Sequence, residues 1–251
     1  MKYIGETVIC IDGIRFRVGV VARLDRALLS GEIHDRIVFQ ALEQTLSPGG
    51  LLIDIGANCG YFTLLACKNY GARAWAFEPS PRELRRLYDN LALNNCSNVT
   101  VFPVALGAEY KMIGLNIAGD DNPGMNSLVD LRAIRPYIAQ QSVQVGRLED
   151  FVGMRELGDV QLVKIDVEGY EFQVLKGLAN CMSQMRNATF VVEITPSYLA
   201  RAGAGETDIY EFFRKRGYRP RFGPKSDAQW DEIFVPETVS SRCNDGQIVQ
   251  V

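Results

Sequence analysis

The run Leu51-Leu52-Ile53-Asp54-Ile55-Gly56-Ala57-Asn58-Cys59-Gly60-Tyr61-Phe62 constrains the fold more than any other stretch. An apolar run ends in a carboxylate, two glycines then bracket small and polar residues, and a new apolar pattern begins. That order reads as a buried parallel strand, a tight turn and the start of a helix. Glycine permits backbone angles that a Cβ would forbid and lets a ligand approach the main chain. The helix start leaves N–H groups unpaired on the ligand side. A second acid, Glu78, closes the next apolar run, Ala74-Trp75-Ala76-Phe77. It falls roughly 20 residues beyond the turn, where the second strand of a βαβ unit presents a carboxylate to a ribose diol. A nucleoside-bearing cofactor is therefore expected. The turn lacks the three-glycine G-x-G-x-x-G pattern that seats a pyrophosphate, and Asp54 would repel that group while suiting an ammonium or a water bound to it. S-adenosylmethionine (SAM), which carries no phosphate, is favoured over NAD. The alternative is a structural βαβ turn with a coincidental acid.

With 251 residues, 47% of them hydrophobic and 23% charged, the chain suits one large α/β domain or a domain with a small appendage. A net charge of -3 argues against a nucleic-acid partner, which wants clustered Lys and Arg. Cys10, Cys59, Cys67, Cys96, Cys181 and Cys243 form no C-x-x-C pair, which suggests reduced thiols in a cytoplasmic protein. His34 is the only histidine, so a zinc site is not expected. Gly5, Glu6 and Asp12 interrupt any signal-peptide pattern, and no apolar run is long enough to span a bilayer.

Along the chain, Thr7 to Ile11 and Arg15 to Val20 alternate around Asp12-Gly13 and predict a hairpin, taken as an appendage over residues 1–30 that caps the main sheet. Glu32 to Leu46 has helical spacing and places His34 near its start, as a solvated residue or a substrate-facing base or donor. A helix is expected from the cofactor turn to about Asn69, with Gly71 just beyond it. Ser80-Pro81-Arg82-Glu83 reads as a capping box, with Leu84, Leu87, Tyr88 and Leu91 as the buried face and Arg85-Arg86 as a solvated one. Val99 to Val104 gives a third strand, and Ala105-Leu106-Gly107 follows where an adenine could lie. Residues 108–130 break the βα rhythm: Tyr110 to Ile117 alternates like an antiparallel strand, and the loop Gly119-Asp120-Asp121-Asn122-Pro123-Gly124 follows. This insertion either shapes a substrate pocket or is a surface loop. Val143-Gln144-Val145 and Leu148 to Val152 suggest a strand entering a helix.

The second chemically loaded point is the strand Val160 to Ile165, which ends in Asp166-Val167-Glu168-Gly169. In an open parallel sheet, ligands bind outside the carboxyl ends of the strands where strand order reverses. Asp166 belongs at that edge, next to the strand bearing Asp54. Glu171 is expected on the polar side of the following helix, and the strand Thr189 to Ile194 carries Glu193 near its own carboxyl end. Carboxylates gathered on adjacent strand ends point to a ligand. Thr207 is a candidate N-cap, and Tyr218 to Phe222 should pair antiparallel with Glu232 to Val235. The domain is read as 31–236, followed by a polar tail over 237–251.

Asp54 through Leu64, Phe77-Glu78-Pro79-Ser80-Pro81, Asn90 through Asn94, Ala105-Leu106-Gly107, Asn126-Ser127-Leu128 and Leu162 through Glu171 together resemble the FkbM family of SAM-dependent methyltransferases. The resemblance covers roughly residues 30–220 and implies a class I methyltransferase (Rossmann-like) fold: a seven-stranded, mostly parallel sheet with helices on both faces. It also implies that Gly56, Asn58 and Gly60 wrap the methionine part, that Glu78 takes the ribose hydroxyls and that Asp166 lies near the reactive methyl. Asp54, Ala57, Tyr61, Phe62, Pro79, Ser80 and Ala105 complete the expected cofactor contacts. Where relatives often carry an aromatic-Glu pair before the first helix, this chain has Ile33-His34-Asp35, so no specific acceptor transfers.

The expected chemistry is methyl transfer to a hydroxyl of a sugar, glycosylated metabolite or polyketide-type product, a small-molecule acceptor. N- or C-methylation of a peptide or other acceptor is the alternative. An NAD(P)-dependent oxidoreductase is disfavoured by the missing third glycine and by the absence of a Tyr-x-x-x-Lys pair. A non-catalytic SAM-binding module would look the same in its binding residues. Asp166 is the candidate base or acceptor-positioning acid, with a purely cofactor-orienting role as its alternative. Glu168, Glu193 and His34 are further candidates for catalysis, and Lys164 is expected to pair with one of the acids. Asp166 and Glu193 could hold Mg²⁺ with waters, but no dedicated ligand set is legible, so metal use stays open, as does the oligomeric state.

Overall fold

The computed structural model describes residues 7–19, 22–30, 35–119 and 123–237. His34, Cys243, the loop tip at 120–122 and the tail from 238 lie outside the described residues. The strands are β1 (Thr7–Ile11), β2 (Ile14–Val18), β3 (Leu51–Ile55), β4 (Arg73–Phe77), β5 (Val99–Phe102), β6 (Ala105–Leu106), β7 (Lys111–Ile117), β8 (Ala139–Gly146), β9 (Val160–Ile165), β10 (Thr189–Ile194), β11 (Tyr218–Pro220) and β12 (Trp230–Pro236). The helices are α1 (Arg23–Ser30), α2 (Arg36–Thr45), α3 (Tyr61–Asn69), α4 (Pro81–Leu93), α5 (Glu171–Leu178), α6 (Pro196–Arg201) and α7 (Glu206–Arg214).

The main sheet has seven strands in the order β11-β12-β10-β9-β3-β4-β5. β3 pairs in parallel with β4 and β9, whereas β12 runs antiparallel to both its neighbours. The chain therefore leaves β3 in one direction, through β4 to β5, and returns to the opposite side at β9. The gap above β3 and β9 is the topological switch point, the place where open α/β sheets bind ligands. This is the class I methyltransferase arrangement, including its antiparallel strand.

Strand parity divides the core in two. Leu51, Ile53 and Ile55 join Val163, Ile165, Phe190 and Val192 on one side, packed against α5 and α7. Leu52, Ala74, Ala76, Leu162 and Val191 belong to the other core, with α2, α3 and α4. Asp54 and Lys164 are register partners on β3 and β9 and share this second face, which sets up a buried charge pair.

β1 and β2 form the expected hairpin, with Asp12 and Gly13 both at positive φ, as a two-residue type I′ turn requires. The hairpin packs on helices rather than capping the sheet. Ile14, Phe16 and Val18 are buried in the second core, and the Phe16 ring meets Tyr61 at 5.6 Å. Asn90 on α4 and Asn94 just beyond its end accept from Arg17 N and Arg15 N, each at 2.8 Å, and so take the place of a neighbouring strand.

The insertion is a separate three-stranded sheet in the order β6-β8-β7, so the antiparallel strand expected over Tyr110 to Ile117 is present. Other expectations are corrected. Leu148 to Val152 holds only a 3-10 turn, because Arg147 N and the Asp150 carboxylate close it locally. The Ser80 capping box does not form: the Ser80 hydroxyl is buried without a partner, and Glu83 turns to Arg82 and Arg86. Arg86 is not on a solvated face, since Asp25 and Glu83 enclose it, whereas Tyr88 is 51% exposed. α7 is capped at Gly205, whose N–H donates to Asp208, not at Thr207. Neither α1 nor α6 is among the expected helices, although Leu24, Ala27 and Leu28 on α1 recur at helical spacing.

Candidate active site

The turn after β3 is held by the chain itself. Gly56 N and Ala57 N donate to Phe77 O, Asn58 N donates to Glu78 Oε2 at 2.9 Å, Cys59 N to Asn58 Oδ1 and Gly60 N to Ala57 O. Every backbone N–H from Gly56 to Gly60 is therefore used internally, and the first bond of α3 runs from Leu64 N to Gly60 O. The glycines are needed for backbone shape and close packing. Gly56 has φ +80, and a Cβ there would stand 1.9 Å from Asp166 O; at Gly60, with φ +86, it would stand 2.3 Å from Leu87 Cδ1. Inward approach is thus filled by protein at both positions.

Beneath the turn lies the charge cluster. Lys164 is 3% exposed and its ammonium donates to Gly56 O at 3.1 Å. It stands 3.5 Å from Asp54 Oδ1, 3.2 Å from Asp166 Oδ2 and 5.6 Å from the centre of the Phe62 ring. Burial pulls the Lys164 pKa down, but Asp166 and Asp54 more than offset this and raise it. Asp54 is wholly buried and accepts from the Thr63 hydroxyl at 2.7 Å. The ammonium that Asp54 suits is thus the chain's own, and Asp54, Ala57, Gly60, Tyr61, Phe62 and Ser80 support the turn from behind rather than line the cleft.

The cleft above the switch point encloses ≈ 620 Å³, counting the solvent at its mouth. Gly56, Asn58, Glu78, Pro79, Ala105 and Asp166 line it. Leu115, Gly124, Asn126 and Leu128 come from the insertion, which therefore walls the cleft. Leu106, Leu115 and Leu128 with Phe77, whose ring stacks on Phe102 at 4.5 Å, provide apolar surface suited to a flat base. Glu78 is 6% exposed, and its two oxygens accept from Asn58 N and Ser80 N, at 2.9 and 2.8 Å. Burial raises its pKa to about 7, with these two N–H groups opposing the rise. A carboxylate offers about four acceptor positions, so capacity remains for donors in the cleft.

At the carboxyl ends of β9 and β10, one oxygen each of Asp166, Glu168 and Glu193 lie within 4.8 Å of one another. Glu168 adopts φ +55 and pairs with Arg135 Nη2 at 3.2 Å, and its carbonyl accepts from Ser127 Oγ at 2.7 Å. Arg135 sits 5.1 Å from the centre of the Tyr198 ring. Burial first, then the charge of Asp166, raises the Glu168 pKa to about 8, while Arg135 opposes. The Glu193 pKa is raised well above its ordinary value, by burial and then by Asp166 and Glu168. Gln229 Nε2 donates to Glu193 Oε1.

Three contributors escaped sequence reasoning. Arg135 and Gln229 lie in loops, distant in sequence from the acids they touch. Glu171 was expected on a polar surface but is 1% exposed, where Oε1 accepts from Gly169 N at 2.9 Å and Val167 N at 3.3 Å. Burial raises its pKa to about 7. Its position two residues after Gly169 was the available signal, since a tight turn needs acceptors for its N–H groups.

Residues 54–220 match the family described as the Methyltransferase FkbM domain. Methyltransferase 1 of Beauveria bassiana is 32% identical over an alignment of 143 residues that covers 51% of this chain and 57% of that protein. Hexuronic acid methyltransferase AglP of Haloferax volcanii is 25% identical over 150 residues, 59% of this chain and 58% of that protein. The chain thus matches little more than half the length of these two relatives. A crystal structure of methyltransferase FkbM from Methylobacillus flagellatus KT gives a TM-score of 0.48 at 16% identity, covering 84% of this chain and 59% of that one.

Proposed function

The chain belongs to the FkbM methyltransferase domain family, and on that premise we propose that it transfers the methyl group of SAM to a hydroxyl of a sugar, glycosylated metabolite or polyketide-type product. The observation that carries the choice of cofactor is the turn from Gly56 to Gly60, which has no N–H to spare for a phosphate. The cleft instead presents carboxylates, Glu78, Asp166 and Glu168 among them, and these suit a ligand rich in donors and positive charge. SAM is such a ligand: an ammonium, a sulfonium and a ribose diol. The name of the Haloferax volcanii relative supports a sugar acceptor.

SAM supplies an electrophilic methyl on a good leaving group, so the protein's task is mainly to place the acceptor oxygen in line with it. Glu78, fixed by two backbone donors, accepts from the ribose hydroxyls. Asn58 and Gly56 line the methionine end, with Asp54, Ala57, Gly60, Tyr61 and Phe62 holding their turn. Ala105 and Leu106 face the base. Asp166 is the most open of the three strand-end acids, its side chain 30% exposed, and it positions the acceptor hydroxyl and takes up its proton. Lys164 holds Asp166 in place. Glu193 accepts from a further acceptor hydroxyl. An amine acceptor is the second reading, favoured by the same wall of carboxylates.

Calorimetry with S-adenosylhomocysteine (SAH) and with NAD tests the cofactor. SAH should bind and NAD should not, and Glu78→Ala should weaken SAH more than tenfold. Binding of NAD, or an unchanged SAH affinity in Glu78→Ala, would refute the assignment. Labelled SAM screened against sugars and glycolipids, with mass spectrometry of the product, identifies the methylated atom. With that acceptor, Asp166→Asn should lower turnover far more than SAH affinity. Equal losses would return Asp166 to a cofactor-orienting role.

A further inference from the structure

We propose that Asp166, Glu168 and Glu193 together bind one divalent cation of the oxygen-preferring class, Mg²⁺ or Mn²⁺, on the acceptor side of the cleft. That it would touch the acceptor's oxygens rests on the methyl-transfer reading above; that it binds does not. The three residues come from separate positions, the end of β9, the turn behind it and the end of β10, yet one oxygen of each lies within 4.8 Å of the others. Around an octahedral Mg²⁺, ligand oxygens stand about 3 Å apart along an edge and about 4 Å across, so small side-chain rotations complete the site. All donors are carboxylate oxygens, without imidazole or thiolate, a set that suits hard cations such as Mg²⁺ or Mn²⁺. Three protein ligands leave positions for water or for hydroxyls of a substrate.

A group of acids alone would select nothing. The second observation concerns Glu193, which is 9% exposed. Gln229 fixes Oε1, and among the described residues Oε2 has no hydrogen-bond partner. Lys164 answers Asp166 and Arg135 answers Glu168, but among the described residues no cationic side chain pairs with Glu193. Gln229 orients this carboxylate without neutralising it, and leaves a buried acceptor oxygen beside two further carboxylates. Buried polar atoms are rarely left so, and a cation held jointly with Asp166 and Glu168 satisfies it.

The test is titration of the full chain with MnCl₂, with and without SAH, following free Mn²⁺ by electron paramagnetic resonance, then displacing it with MgCl₂. One saturable, Mg²⁺-displaceable site is expected, weakened at least tenfold in Glu193→Gln and in Glu168→Gln, with the SAH affinity of Glu193→Gln kept within a few-fold. SAH binding also reports that each variant is folded. A protein that binds SAH but shows no saturable site at millimolar Mn²⁺ would overturn the proposal and leave Glu193 facing the acceptor directly. So would Mn²⁺ affinity unchanged in both variants. A protein that binds Mn²⁺ through these residues but not SAH would retain the metal site and defeat the methyl-transfer reading instead.

Discussion

Lys164→Met is the most informative single change to the interior. The Lys164 ammonium is buried, stands between Asp54 and Asp166 and donates to the carbonyl of Gly56. Methionine fills much the same volume, so the packing loss is small. What remains is Asp54, wholly buried, with the Thr63 hydroxyl as its hydrogen-bond donor and no countercharge. Breaking a buried pair by removing one partner costs about 3–5 kcal/mol. For a chain of this size, each kcal/mol lowers the melting temperature by about 2–4 °C, so a fall of roughly 6–20 °C is expected. Because the orphaned charge causes most of that loss, Lys164→Met/Asp54→Asn should be more stable than Lys164→Met alone. Urea unfolding of wild type, both single variants and the double variant measures this as a coupling free energy. A single-variant loss below about 1 kcal/mol, or strict additivity, would refute the claim that the pair acts as a unit. SAH affinity should fall in Lys164→Met as well, since the carbonyl of Gly56 loses its donor at the mouth of the turn.

Further outcomes follow from the same geometry. Glu78 has a pKa raised by burial to about 7, so ionising it in the fold costs stability. The unfolded carboxyl loses its proton first as pH rises above its ordinary range, stability falls until about 7, and the loss is complete above that. Glu78→Gln turns one accepting oxygen into an amide donor against Asn58 N or Ser80 N and should bind SAH more weakly, and wild-type SAH affinity should rise with pH through about 7; a flat affinity profile would contradict the ribose role. Gly49 and Gly56 share nearly the same φ, +81 and +80, but a Cβ at Gly49 meets nothing within 4 Å, whereas at Gly56 it meets Asp166 O at 1.9 Å. Gly49→Ala should cost only about 1–2 kcal/mol, and Gly56→Ala should cost far more and abolish SAH binding; equal melting temperatures would refute this. Asn90→Ala removes the acceptor of Arg17 N and the donor to Cys59 O, so it should cost about 1–3 kcal/mol and speed proteolysis at the hairpin.

The sequence by itself determined the strand-turn-helix around Gly56, the strand ends bearing Glu78, Asp166 and Glu193, the antiparallel closing strand and hence the fold. These are local: continuous apolar runs, glycines at tight turns and a carboxylate at a fixed distance all lie within short windows. The tertiary structure decided which of those groups the cleft can reach. Asp54 looked like a ligand, yet parallel register set it against Lys164, a residue 110 positions away, and buried both. Glu171 and Arg86 looked solvated because polarity was judged along one helix, whereas their partners come from a turn and from α1. Arg135 and Gln229 reach Glu168 and Glu193 only through long loops. Charge pairing and burial depend on what stands opposite in three dimensions, and a periodic pattern records only which side of its own element a residue occupies.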